Sequence, residues 1–239
     1  MLIISSIRSV KKLFALVALL TTLQFAKADT IAKWTFETSH PVGPRSAGVW
    51  YTNVTAEIGS GTASGFHSGN ASYSPSVGNG SAYSFGATNT WAVGDFFQFA
   101  VSTTSYQNIQ ISYDQAGNST GPGTFFLAYS TNGSTFTKYG SDYAVAAGNW
   151  SFAIPTSANS FSFNLNAITS INDQSIVYFR VVDDSTVAIG GGTVIGVEDD
   201  RIDNFLVSAQ PVPEPSVMAL VVLGGAFSTF VLKRKSLKS

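Results

Sequence analysis

Gln107-Asn108-Ile109-Gln110-Ile111-Ser112-Tyr113-Asp114 sets an apolar side chain at every second position from Ile109 to Tyr113, with polar residues between. Successive side chains leave a strand on opposite faces, so this spacing is that of a strand with one wet and one buried side. Ser160-Phe161-Ser162-Phe163-Asn164-Leu165 repeats it. Working outward, related patterns predict strands at 31–37, 81–85, 96–102, 124–130, 136–139, 150–154, 175–182 and 202–208. Strands of this length, parted by clusters of Gly, Asn, Ser and Pro and with no helical stretch of useful length, predict an all-β fold. The expected form is a single antiparallel β-sandwich over residues 29–209. Thr131-Asn132-Gly133-Ser134 sits between two of the strand patterns, and Asn-Gly tolerates the positive φ angles of a type I′ turn, which predicts a hairpin there. The Gly-rich segments 38–80 and 183–200 read as long surface loops, where sandwich proteins usually carry binding function.

Charge along the 239 residues is uneven. Eight of the thirteen cations lie in the two ends, leaving Lys33, Arg45, Lys138, Arg180 and Arg201 in the central span against thirteen acids, a formal balance of −8. Nucleic acid is therefore excluded as a partner, because it requires clustered Lys and Arg to displace counterions. Cysteine is absent, so no disulfide or thiolate metal site forms and stability rests on packing. Eighteen Phe, nine Tyr and four Trp supply the means for a large core.

Both ends read as addresses. Arg8, Lys11 and Lys12 precede an apolar run, Leu13 to Phe25, and then Ala26-Lys27-Ala28. This is the order of a secretory signal helix ending in a peptidase site, so residues 1–28 are expected to be removed by signal peptidase and Asp29 to become the N-terminus. At the other end a Pro-rich linker, residues 210–216, holds Val212-Pro213-Glu214-Pro215; an apolar stretch from Val217 to Leu232 and the cations Lys233, Arg234 and Lys235 follow. Sixteen helical residues rise about 24 Å, somewhat short of a ~30 Å hydrocarbon core, a gap that snorkelling lysines cover. Residues 217–239 thus read as a transmembrane helix with a basic cytoplasmic tail.

Motif, apolar helix and basic cluster in this order resemble the PEP-CTERM sorting signal. The resemblance implies recognition by an exosortase, a membrane processing enzyme of bacteria that make extracellular polysaccharide. It covers about the last 28 residues. It also implies that the tail is cut near Pro213 to Ser216, after which the protein moves to the cell surface or extracellular matrix. A second resemblance is carried by Ile31-Ala32-Lys33-Trp34-Thr35-Phe36 and Arg201-Ile202-Asp203-Asn204-Phe205. Similar terminal strands occur in domains of PEP-CTERM proteins and in jelly-roll carbohydrate-binding modules. There the first and last strands pair, and nearby acids hold a structural calcium, which makes the expected sandwich jelly-roll-like.

Candidate chemistry is sparse. Gly117-Asn118-Ser119-Thr120-Gly121 fits G-x-S-x-G, but Gly121-Pro122-Gly123 and a Phe-rich strand follow where a nucleophile elbow needs a helix. His40 and His67 lie in loops without an evident partner. Asp183-Asp184 and Glu198-Asp199-Asp200 offer paired carboxylates for glycoside hydrolysis, a solvated surface, or a cation site. Calcium takes hard oxygen ligands, so Glu198, Asp199, Asp200 and Asp203, with Glu37 from the first strand, are the candidate set for a structural ion. Sugar binding needs aromatic faces beside planar polar groups, for which Asp114, Gln115 and Arg180, with Trp50 and Trp91, are the candidates. Alternatively, Arg180 pairs with Asp114 across a sheet and the tryptophans are core. Six N-x-S/T sequons mark polar exposed turns. These readings lead to an expected non-enzymatic surface protein contacting extracellular polysaccharide. A secreted glycan-active hydrolase using loop carboxylates and a purely structural surface protein are the alternatives.

Overall fold

The computed structural model describes residues 27–195 and 199–213. Fourteen strands occur among them: β1 Asp29–Trp34, β2 Gly43–Arg45, β3 Tyr51–Thr55, β4 Ile58–Gly59, β5 Gly61–Phe66, β6 Ala71–Ser74, β7 Phe85–Thr88, β8 Phe96–Val101, β9 Tyr106–Gly117, β10 Thr124–Ser130, β11 Thr137–Ala144, β12 Ser160–Asn164, β13 Val177–Asp183 and β14 Asp199–Pro211. Among the described residues helix is confined to two single turns, Ser157–Asn159 and Thr169–Ile171. The strands form two antiparallel sheets. The first runs β12-β9-β14-β7-β6-β2, with β1 on β14 and β4 on β1, and the second runs β11-β10-β13-β8-β5-β3.

β14 organises the first sheet. Along one edge it pairs with β9 from Asp200 to Pro211. Along the other its first half pairs with β7 and its second half with β1, from Phe205↔Trp34 to Ala209↔Asp29. The first and last strands therefore do pair, as the terminal-strand resemblance implies. Between the halves the register breaks at 203–206 and Asn204 takes a left-handed φ of 51°, the signature of a bulge. β14 runs on to Pro211, two residues into the stretch read as linker, and Pro is tolerated there because it closes the strand.

The core lies between the sheets and is aromatic. Trp34, Phe36, Phe85, Phe97, Phe99, Phe125, Phe179 and Phe205 are fully buried. Phe99 of the second sheet stacks on Phe205 of the first at 3.5 Å between centroids and 5° between planes, and Trp34 stands edge-on to both. Aromatic side chains supply the apolar area that a cysteine-free domain needs.

Several expectations need correction. Segment 38–80 is not a long loop, since it holds β2 to β6. Its strands escape the alternation test because the core requires them to be small. A Cβ on Gly61 would lie 2.7 Å from the Trp34 ring, and one on Gly65 would lie 2.6 Å from the Tyr73 ring. We therefore predict that Gly65→Ala destabilises the domain by about 1–3 kcal/mol through overpacking, read as a lowered melting temperature. Segment 150–154 is not a strand. Trp150 is buried, Ser151 spends its carbonyl on the Gly80 N–H, and Phe152 and Ile154 project into solvent. The predicted hairpin forms as β10–β11, but its connection is six residues, 131–136, and only Gly133 there has positive φ. Ser130 Oγ accepts from the N–H groups of Asn132 and Gly133, and Asn132 Oδ1 accepts from those of Ser134 and Thr135, so side chains close a wider turn than type I′.

The signal helix and the transmembrane helix fall in 1–26 and 214–239, outside the described residues. Among the described residues no helix is long and apolar enough to cross a membrane.

Candidate functional site

Two sequence doublets, Phe96-Phe97 and Phe125-Phe126, put a ring on each face of their strand. Phe97 and Phe125 point into the core. Phe96 and Phe126 point the other way and join Phe66, Ala128, Phe136 and Val182 in a second apolar cluster on the outer face of the second sheet. Register fixes how these residues meet. Phe66, Phe96, Val182 and Phe126 form one row across β5, β8, β13 and β10. The next row reads Ser64, Gln98, Arg180, Ala128 and, on β11, Lys138. A third row holds Thr62, Ala100, Tyr178 and Ser130. Trp50, 37% exposed, closes one side with its ring 5.1 Å from Phe96 and 5.6 Å from Phe66.

Arg180 is the polar centre of this face. Its guanidinium lies 3.6 Å from the Phe136 centroid, 3.8 Å from Phe96 and 5.5 Å from Trp50, while Nε donates to Gln98 Oε1 at 2.8 Å. Burial lowers its pKa to about 10, so it remains a cation at neutral pH. Lys138 Nζ covers the Phe126 ring at 4.4 Å and pairs with Asp142 and Asp184. Where the face reaches the ends of β5, β8 and β13, it falls into a shallow groove of about 250 Å³ lined by Gly61, Thr62, Ala100, Ser102, Ser175 and Ile176. The part-exposed Trp50 ring, a planar cation and a hydroxyl-lined groove on one sheet can stack on a sugar ring and hydrogen-bond its substituents. The Phe96, Phe126 and Phe136 rings beneath are covered by Arg180 and Lys138.

Of the predicted ligand residues, only Arg180 lies here, with Trp50. Asp114 and Gln115 belong to β9 of the first sheet, and being adjacent they point to opposite sides. Asp114 accepts from Ser160 Oγ and Asn204 Nδ2. Gln115 is inside the sandwich, accepting from Tyr143 Oη and donating to Asp200 Oδ1. The sheets thus separate Arg180 from both, and the Arg180–Asp114 pair does not exist. Trp91 is core, packed on His67, Phe97 and Phe125. Alternation alone does not single out Phe66, Phe96, Gln98, Phe126 and Phe136; the signal for them in the sequence is the pair of Phe doublets that break it.

The calcium set is scattered. Asp203 is buried and its carboxylate is engaged by donors: Oδ2 by the Asn79 N–H and Ser81 Oγ, Oδ1 by the Asn204 N–H. Glu37 Oε1 accepts from the Tyr83 N–H, so these two acids hold the 78–83 loop rather than converge on a cation. Asp200 is fully buried, and burial together with its neighbours Asp199 and Asp183 pushes its carboxyl well above the usual range. Asp199 is likewise raised by burial. Glu198 lies outside the described residues. No group of three or more His, Cys, Asp or Glu side chains is placed to hold a metal ion among the described residues.

The hydrolytic candidates Asp183, Asp199 and Asp200 lie near one another, but inside the protein. Asp183 and Asp200 are both fully buried, out of reach of a polymer, and Asp184 is paired with Lys138. At the end of β9, Asn118 Oδ1 takes the N–H and hydroxyl of Thr120, closing a local turn with no helix after Ser119. His67 is buried with Nδ1 on the Asn89 carbonyl, and His40 Nδ1 lies on the Phe36 carbonyl. Of the sorting motif, Val212 and Pro213 are described and exposed; Glu214, Pro215 and the stop residues Lys233, Arg234 and Lys235 are outside the described residues.

No protein-family model matches this sequence, and neither does any curated protein sequence. Among solved structures, the CBM22-1–GH10 modules of endo-1,4-β-D-xylanase 10B from Clostridium thermocellum, complexed with xylohexaose, are similar at 15% identity and a TM-score of 0.43, over 75% of this chain and 28% of that one. The chain thus spans less than a third of the xylanase modules it matches. The K3 cleaved adhesin domain of Lys-gingipain from Porphyromonas gingivalis is similar at 10% identity and a TM-score of 0.41, over 75% of this chain and 98% of that domain. TmCBM61 in complex with β-1,4-galactotriose is similar at 12% identity and a TM-score of 0.35, over 72% of this chain and 92% of that one.

Proposed function

We propose that this is an exported, non-enzymatic surface or matrix protein whose second sheet contacts extracellular polysaccharide through its outer face. The observation that carries the reading is the row of outward aromatic side chains around Arg180 and Gln98, because a sheet face facing only water has no need of four Phe rings and a tryptophan. The order of signal, linker, apolar segment and basic tail supports export, sorting by an exosortase and release from a transient membrane anchor. Burial of Asp183 and Asp200 favours binding over hydrolysis.

A glycan array run beside a product-release assay on the same polymers tests this reading. Binding without release is expected, with Trp50→Ala weakening it at least tenfold while the variant still melts as a folded domain. Release of oligosaccharides by the wild-type protein would establish the hydrolase instead. Mass spectrometry of the mature C-terminus tests the sorting step: a terminus between Pro213 and Ser216 is expected, and an intact Lys233-to-Ser239 end would identify a permanent anchor.

A further inference from the structure

Resting on the polysaccharide reading, we infer that the face selects glycans bearing carboxylates, uronate-type polymers, with Arg180 as the residue that reads the charge. The domain has thirteen acids against five cations, so carboxylates are plentiful, yet Arg180 has none within ion-pair distance among the described residues. Its one hydrogen bond among the described residues is made by Nε, which leaves both terminal nitrogens to a ligand. Nε–H only donates, so the Gln98 atom it meets is the carbonyl oxygen, and the Gln98 amide N–H groups remain as further donors beside the fork. Phe96 and Phe136 cover the guanidinium and half-bury it, which removes competing water and strengthens a charge-assisted contact made at its edge.

A carboxylate is the anion that fits. Its two oxygens match the guanidinium fork in one plane. The sugar ring that carries it would then lie against Trp50 or Phe66, whose rings flank Phe96. Lys138 does not serve in the same way, because Asp142 and Asp184 already neutralise it. The negative balance of the rest of the domain does not forbid an anionic polymer, since charges more than about 8 Å away are screened at physiological ionic strength.

The test uses an array of uronate polymers (alginate, polygalacturonate, hyaluronan and glucuronoxylan), each beside its carboxyl-reduced counterpart, at 0.15 M salt. At least one acidic polymer should bind tenfold or more tighter than its reduced form. Arg180→Gln should erase that preference, and Arg180→Lys, which keeps charge but not the fork, should retain part of it, with melting temperature as the control for folding. If every polymer binds as well as its reduced form and Trp50→Ala weakens both, charge selection is overturned while the sugar-binding face stands. If none binds, or if the face proves to be covered by a second copy in a dimer that Trp50→Ala dissociates, both readings fall together.

Discussion

Phe205→Ala is expected to lower the melting temperature by roughly 6–20 °C, the largest effect of a single truncation in this domain. Phe205 is fully buried where β14 meets β1, lies flat on Phe99 across the inter-sheet space, stacks on Tyr113 at 5.4 Å and meets the edge of Trp34. Truncation removes the ring that joins the two sheets and leaves a cavity that neither strand can close, because β14 is held by β9 and β1 on its two edges. Phe→Ala at such sites costs about 3–5 kcal/mol, a large share of the 5–15 kcal/mol that hold an ordinary domain folded. Phe205→Leu keeps most of the volume and should cost much less. Equal losses for the two variants in calorimetric melts would show that the stacked ring, and not the volume it fills, is what joins the sheets.

Asp203→Ala is expected to be nearly as damaging and to change how stability depends on pH. The Asn79 N–H, Ser81 Oγ and Asn204 N–H all donate to this carboxylate, and each buried donor left without a partner costs about 1–3 kcal/mol. Loss of those bonds frees the 78–83 loop from the β14 bulge, so amide hydrogen exchange at Asn79 should quicken first. Burial pushes the Asp203 pKa up to about 6 from 3.8, against the pull of its hydrogen bonds. An acid with a raised folded pKa binds its proton more tightly when folded, so its contribution to stability is greatest below 3.8 and declines as pH rises towards 6. Wild type should show that decline between pH 4 and 6 more steeply than Asp203→Ala. Parallel profiles would assign the slope to another group. His67 bends the profile the opposite way: burial lowers its pKa, so stability is lost as pH falls through the ordinary histidine range near 6.5.

Strands whose neighbours leave room for alternating large side chains are legible in the sequence. Residues 124–130 match β10 at both ends, and Ser160–Asn164 differs from the predicted strand only by Leu165. Strands built from Gly, Ala and Ser were not legible, since β5 is small on its inward side to admit Trp34 and Tyr73, residues remote in sequence. The candidate site was half visible for the same reason. Arg180 and Trp50 could be named from the sequence, whereas their companions depended on which face each Phe takes.

What the sequence determined by itself is the class of the fold. Two-residue periodicity, absent cysteine, abundant aromatic residues and separated charged ends are properties of the string, and each restricts the chain without reference to remote contacts. Tertiary structure alone decided which groups share a site. Strand register across β5, β8, β13 and β10 gathers Phe66, Phe96, Gln98, Phe126 and Arg180 on one face, the β10–β11 connection brings Phe136 onto it, and the separation of the sheets sends Asp114 and Gln115 elsewhere. Register is a long-range quantity, set by how the core packs, and a shift of one residue in β13 would turn Arg180 into the interior.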